Sequence, residues 1–150
     1  MLLVDVNVFV YAARRDSVRH EEYRDWLNDR MTGPEGFGVD GLVLSGFVRV
    51  VSNHRVFAQP TPTSTALDFC RRVLDAPAAV QVNPGPRHWG LFDGLCRAVA
   101  ARANVVPDAY LAALAMENDA TWVTTDRGFA RFPGLRTRHP LDPDPVPKHP

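Results

Sequence analysis

The chain has 150 residues, enough for one domain, and its 45% hydrophobic and 23% charged fractions are ordinary for a globular protein. Basic and acidic residues number 17 each, so the zero formal net charge indicates no particular class of partner. Because Lys148 is the only lysine, chemistry that needs a lysine in the folded core is excluded. The two cysteines have neither metal-binding nor redox spacing, and no stretch approaches the roughly twenty apolar residues of a membrane span. We therefore expect a cytoplasmic protein with no membrane partner.

The apolar pattern alternates between predicted strands and predicted helices along the chain. Strands are predicted at Leu2–Val4, at Phe37–Val39, at 79–82 and at 120–126. Helices are predicted at 8–13, 18–31, 41–51, from Thr63 or Ser64 until Pro77, at 86–102 and at 107–119. Strands separated by helices indicate an α/β protein with a parallel sheet. We assign residues 1–141 to the domain and 142–150 to a proline-rich tail that is extended or disordered.

Three carboxylates are candidates for a site at the edge of this sheet. Asp5 follows the first strand, Asp126 ends the last one, and Asp108 lies in the first turn of a helix that Pro107 opens. If the two strands are neighbours, the three acids converge where ligands bind in open α/β sheets, and Mg²⁺ or Mn²⁺ would resolve their repulsion. Such an ion lowers the pKa of a water that can attack a phosphodiester. Alternatively, Asp108 only favours the helix dipole and Asp126 only forms a turn.

Four segments of the sequence carry a family resemblance. The chain resembles PIN-domain ribonucleases, in particular the VapC toxins of bacterial VapBC toxin–antitoxin modules, in LLVDVNVFVYA, in VPDAYLAALAMENDATWVTTDRGFARF and in LRTRHPL. The segment LVLSGFVRVVSNHRVF also resembles the central helix of that family. The resemblance extends from residue 1 to about residue 141.

The resemblance implies a fold, an activity and a set of site residues. The fold is a PIN-like three-layer sandwich, in which a central, mostly parallel sheet is flanked by helices. The activity is Mg²⁺-dependent cleavage of single-stranded RNA, with Mn²⁺ as an alternative ion. Asp5, Asp108 and Asp126 match the catalytic, metal-binding acids, and Asn7 and Thr125 match polar residues beside them. The implied partners are a second copy of the chain, in a homodimer, and a cognate VapB-type antitoxin whose tail occupies the active-site groove.

One position departs from the family pattern. Many members carry glutamate in the central helix, in a pattern like LSEFVRV, where this sequence has Gly46 in LSGFVRV. Asp40 could compensate if the loop brings it inward, or it could act only as the N-cap of the helix. This departure leaves two possibilities open. The site could bind its metal ion more weakly, or the domain could be catalytically weakened and serve as an RNA- or protein-binding module.

Basic residues near the acids are candidates for contacts with the RNA backbone. Arg127 and Arg131 follow Asp126 without an intervening acid, while Arg49 and Arg55 belong to the central helix and the loop after it. Each of these arginines could instead be solvated or pair with an aspartate. The run of basic residues after Asp126 continues with Arg136, Arg138 and His139. The amphipathic helix 18–31 is either part of the core or a docking face for the antitoxin.

An aspartyl phosphohydrolase of the haloacid dehalogenase type is a less favoured alternative, suggested by DVN after a strand. That chemistry needs a second aspartate where Asn7 stands and a lysine in the core. The sequence therefore favours a metal-dependent ribonuclease.

Overall fold

Strands and helices alternate much as the apolar pattern predicts. The computed structural model describes residues 1–145. Its strands are β1 (Leu2–Val4), β2 (Phe37–Val39), β3 (Ala79–Gln81), β4 (Thr121–Val123) and β5 (Thr137–Arg138). Its helices are α1 (Val6–Ala13), α2 (His20–Thr32), α3 (Gly41–Val51), α4 (Thr63–Leu74), α5 (His88–Ala98) and α6 (Val105–Glu117), with a 3₁₀ helix at Arg127–Arg131. The short edge strand β5 is an element that the apolar pattern did not predict.

The five strands form one parallel sheet in the order β3-β2-β1-β4-β5. The central strand β1 is fully buried, as expected for a run of apolar residues in a covered parallel sheet. Its neighbour β4 pairs with it in a register that sets Val4 beside Val123. The residues that follow these two strands therefore emerge side by side at one edge. The predicted α/β fold with a parallel sheet is confirmed.

The helices form two packed groups around the sheet. Helix α1 packs against α2 and α3, α3 packs against α4, and α5 packs against α6. The largest fully buried side chains include Phe9, Phe37 and Phe47, which lie among β2, α1 and α3. Helix α6 is also buried along much of its length, and Trp122 of β4 packs on Phe129, so the core extends to both groups of helices. Within residues 1–145, no helix is both long and apolar enough to cross a membrane.

On two helices a large apolar side chain lies exposed beside the buried stripe. On α4 the buried stripe is Ala66, Cys70 and Val73, whereas Leu67 is 54% exposed. On α5, Trp89 is 68% exposed, and the neighbouring His88 takes the inward position, where its Nε2 donates to the Tyr110 carbonyl at 2.9 Å. Since a carbonyl oxygen only accepts, this Nε2 carries the proton.

The start of the predicted tail is tied to the domain. The Asp144 carboxylate accepts hydrogen bonds from Arg30 Nη2 at 2.6 Å and Arg138 Nη2 at 2.5 Å, which holds the pKa of Asp144 below its usual range. The boundary at residue 141 stays a prediction, and residues 146–150 of the predicted tail lie outside the described residues.

Candidate active site

Asp5 is the most constrained of the three candidate acids. It follows buried β1, and its backbone N–H donates to the Val123 carbonyl at 2.9 Å. Its Oδ1 accepts from the Val6 N–H at 2.7 Å, which makes Asp5 the N-cap of α1, and its Oδ2 accepts from the Thr124 hydroxyl at 2.6 Å. The residue is only 6% exposed. The carboxylate is therefore oriented by the first residue of α1 and by the residue that follows β4.

The protonation of Asp5 reflects this environment. Burial is the largest cause of a pKa of about 6, against an ordinary value of 3.8. The hydrogen bonds from Thr124 and Val6 lower the pKa, and the negative charges of Asp108 and Asp126 raise it. The three acids are thus close enough to repel one another.

Asp108 reaches the same place from α6. It lies in the first turn of the helix and is partly buried. Burial raises its pKa, the charge of Asp126 raises it further, and the Arg131 guanidinium opposes both. Pro107 is the third residue of α6 and not the first, so the helix begins two residues earlier than predicted.

Asp126 is exposed and caps the 3₁₀ helix. Its Oδ1 accepts from the Gly128 N–H at 2.7 Å, and its backbone N–H donates to the Thr124 hydroxyl oxygen at 3.0 Å. The Thr124 hydroxyl therefore joins Asp5 to Asp126. Thr125, which the resemblance selected for this role, is partly buried at the next position and does not make this contact. The β1–β4 register is the signal that identifies Thr124, because Asp5 and Thr124 directly follow the paired residues Val4 and Val123.

The three acids line one open cleft of about 610 Å³, which we call the carboxylate cleft. Its walls also contain Asn7, Gly46 and Arg49. Asn7 and Arg49 are exposed, and neither side chain makes a hydrogen bond within residues 1–145. Arg55 lies on the loop after α3 with its N–H bonded to Asn53, and it is not among the described residues that line this cleft.

Asp40 does not replace the glutamate of the family pattern. Its Oδ2 accepts from the N–H groups of Leu42 at 2.9 Å and Val43 at 3.3 Å, so it is the N-cap of α3. It is buried outside the carboxylate cleft, and burial raises its pKa. Gly46 does line the cleft, and a Cβ added there would stand 3.1 Å from Val6 Cγ2. Position 46 therefore faces both the cleft and the contact between α1 and α3.

The donor set fits a hard divalent cation held partly by water. Three carboxylates share the cleft. Burial and the repulsion between the acids raise the pKa values of Asp5 and Asp108 and so disfavour their ionised forms. The positive charge of a bound cation would offset this effect. In the part of the chain that is described, however, no three His, Cys, Asp or Glu side chains are arranged to hold a metal ion as they stand. Mg²⁺ commonly uses one or two carboxylates and keeps several waters, so the acids present suffice.

The two predicted RNA-binding arginines after Asp126 point to different places. Arg127 lines the far side of Asp126, away from the carboxylate cleft. Arg131 folds back, donating from Nε to the Gly128 carbonyl at 2.7 Å, and its charge acts on Asp108. An added Cβ at Gly128 would lie 2.8 Å from Arg131 Nη2 and 2.9 Å from Asp126 Oδ1, so glycine permits this close approach.

Comparison with known proteins identifies the family. The sequence profile of the PIN domain matches residues 2–135. The chain belongs to the PIN-domain family. Among PIN-domain relatives, Ribonuclease VapC43 of Mycobacterium tuberculosis is 51% identical over 142 residues, which cover 95% of this chain and 97% of that protein. Ribonuclease VapC25 of the same organism is 37% identical over 140 residues, covering 93% and 99% of the two chains. The resemblance to VapC proteins is confirmed.

Solved structures of VapBC2 and VapC20 share the fold at low sequence identity. VapBC2 from Rickettsia felis, bound to a DNA fragment from its promoter, matches with a TM-score of 0.69 and 16% identity over 92% of this chain and 97% of the other. Mycobacterium tuberculosis VapC20, a toxin that cleaves the sarcin–ricin loop, matches with a TM-score of 0.61 and 15% identity over 91% and 99% of the two chains. At these identities the likeness supports the PIN-like fold alone.

Proposed function

We propose that this PIN-domain chain is a metal-dependent endoribonuclease, the toxin of a toxin–antitoxin module, and that it cuts single-stranded RNA in the carboxylate cleft. The observation that carries the proposal is the convergence of Asp5, Asp108 and Asp126 beyond the carboxyl ends of β1 and β4. The names of the relatives, Ribonuclease VapC43 and Ribonuclease VapC25, support the same activity.

The residues of the cleft have distinct roles in this proposal. Asp5 and Asp108 would hold Mg²⁺, with Mn²⁺ as a substitute, and Asp126 would add negative charge at the solvent-exposed side of the carboxylate cleft. A bound ion of this kind supplies an activated water and neutralises charge on the phosphodiester. Thr124 and the Val6 N–H keep the Asp5 carboxylate in one orientation. Arg49, exposed in the wall of the cleft, is available to pair with a phosphate of the substrate.

The partners follow from the same relationship. One structural neighbour is VapBC2 of Rickettsia felis. We therefore expect a cognate VapB-type antitoxin for this chain, and a homodimer of the toxin. Co-purification of the chain with an antitoxin encoded beside it, and the mass of the free toxin measured by light scattering, test these two expectations separately.

A catalytically weakened domain that binds RNA or protein is the second candidate function. It is favoured by Gly46, which puts no carboxylate where the family pattern often has glutamate, and by the lack of a ready three-ligand metal group among residues 1–145. Such a protein would bind RNA without cutting it.

Incubation with total RNA distinguishes the two candidates. The wild-type chain should produce discrete new 5′ ends in Mg²⁺, and both EDTA and the substitution Asp108→Asn should abolish them. RNA binding without new ends would support the weakened domain. New ends that persist in the Asp108→Asn variant would contradict the proposed site.

A further inference from the structure

A second cleft of about 590 Å³ adjoins the carboxylate cleft and shares Asp126 with it. We call this second cleft the basic cleft, because basic side chains from three separate elements line it. Arg19 precedes α2, Arg127 begins the 3₁₀ helix, and Arg138 and His139 lie at the end of β5. The parallel order β1-β4-β5 brings the last two elements beside Asp126. The basic cleft is therefore a product of the fold and not of one sequence segment.

Arg127 has its whole guanidinium available. It is exposed, and within residues 1–145 it makes neither an ion pair nor a side-chain hydrogen bond. It also directly follows Asp126, the acid that both clefts share. Its charge is therefore free to pair with a phosphate beside Asp126.

Arg19 is partly engaged, but donors remain. Its Nε and Nη2 donate to the carboxylate of Glu22, which leaves Nη1 free of a partner in the described chain. Its backbone is left-handed, with φ 58° and ψ 28°, a conformation that favours glycine or asparagine over arginine. It occupies the N-cap of α2 without making a side-chain capping bond.

The remaining basic residues also present donors. Arg138 donates from Nη2 to Asp144 and to the Asp142 carbonyl, so its Nε and Nη1 remain unused within the described residues. The Nδ1 atom of His139 accepts from the Leu141 N–H, which places the proton of the neutral ring on Nε2. Phosphate oxygens are pure acceptors and match these donors, while Asp126 and Asp142, which also line the cleft, contribute negative charge.

We propose that the basic cleft binds the phosphodiester backbone of the RNA strand next to the cleavage site. This inference rests on the proposed ribonuclease function and extends it by giving the path of the substrate. The strand crosses Asp126, with the phosphate to be cut in the carboxylate cleft and the following phosphates against Arg127 and Arg19. Backbone contacts of this kind position a strand without reading its bases.

The salt dependence of RNA binding tests this path. The probe is a fluorescein-labelled, random-sequence RNA of about twelve nucleotides, within the range of single-strand site sizes. It is titrated with the full chain carrying Asp5→Asn, which keeps the RNA intact. Adding Arg19→Gln and Arg127→Gln together should weaken binding and reduce the slope of log K against log salt by about 1.4, because each single-strand phosphate contact contributes about 0.7. Arg127→Gln alone, which breaks no internal contact, should reduce the slope by about half as much.

The control double variant is Arg97→Gln with Arg102→Gln. It removes the same charge from exposed positions that line neither cleft. An unchanged slope in the Arg19/Arg127 variant, or an equal fall in the control, would overturn the proposed path. If the parent Asp5→Asn chain bound no RNA at all, the ribonuclease proposal itself would fail, and that outcome is separate from a failure of the basic cleft.

Discussion

Replacing Asp5 by asparagine should stabilise the metal-free protein although it removes the proposed activity. The Asp5 carboxyl is 6% exposed and has a pKa of about 6 against 3.8, which corresponds to about 3 kcal/mol against the ionised form in the folded state. Asparagine keeps one acceptor oxygen, so one of the hydrogen bonds from Val6 and Thr124 is lost, at a cost of about 1 kcal/mol. The net gain near neutral pH is about 2 kcal/mol, or roughly 4–8 °C in Tm for a chain of this size.

The pH dependence of this gain has a defined sign. Because the folded pKa of Asp5 is raised, its ionisation destabilises the folded state at pH values above about 6, and the penalty disappears as the pH falls towards 3.8. The advantage of Asp5→Asn over the wild type should therefore be largest at neutral pH and should vanish or reverse in acid.

Urea denaturation of the wild type and of Asp5→Asn in EDTA, at about pH 7.5 and about pH 4.5, measures the gain in stability and its dependence on pH. The control is Asp68→Asn, a change at an exposed aspartate on α4, which should alter the free energy of unfolding by less than about 0.5 kcal/mol. A variant Asp5→Asn that is less stable than the wild type by the same amount at both pH values would refute the reasoning about burial and repulsion.

Three further predictions concern Thr124, Asp40 and Gly46, each tested with a matched control variant. Thr124→Val should reduce RNA cleavage far more than Thr125→Val, because only Thr124 bonds to Asp5; equal losses would contradict its positioning role. Asp40→Ala should cost about 1 kcal/mol of stability whereas Asp40→Asn, which keeps the cap, should cost little, and neither should change the rate of cleavage. Gly46→Glu should tighten Mg²⁺ binding measured by calorimetry, whereas Gly46→Ala should not, because position 46 lines the carboxylate cleft; unchanged Mg²⁺ affinity in Gly46→Glu would mean that position 46 does not serve the metal.

The sequence was sufficient to predict the fold class and which acids meet. Asp5 and Asp126 follow apolar strands, and in a parallel sheet the carboxyl ends of strands share one edge, so their approach needed no knowledge of side-chain packing. Asp108 could be added because a helix start beside that edge is common in α/β proteins. The family resemblance agreed with each of these positions.

Details that depend on register and helix type could not be predicted in the same way. Choosing Thr124 over Thr125 requires the β1–β4 register, and a shift of one residue moves a side chain to the opposite face. Arg127 and Arg131 would share a face on an α-helix, but they diverge on the 3₁₀ helix that the chain forms there. Arg19 lines the same cleft as Asp126 only because of the way α2 packs, to which no local sequence pattern points.

The central claim is that the carboxylate cleft holds the divalent cation used for cleavage. Anomalous diffraction from crystals of the wild-type chain soaked in Mn²⁺ tests it most directly. We predict one manganese peak within bonding distance of carboxylate oxygens of Asp5 and Asp108. A chain that cleaves RNA in Mn²⁺ but shows no peak in this cleft, or shows the peak at another site, would contradict the claim.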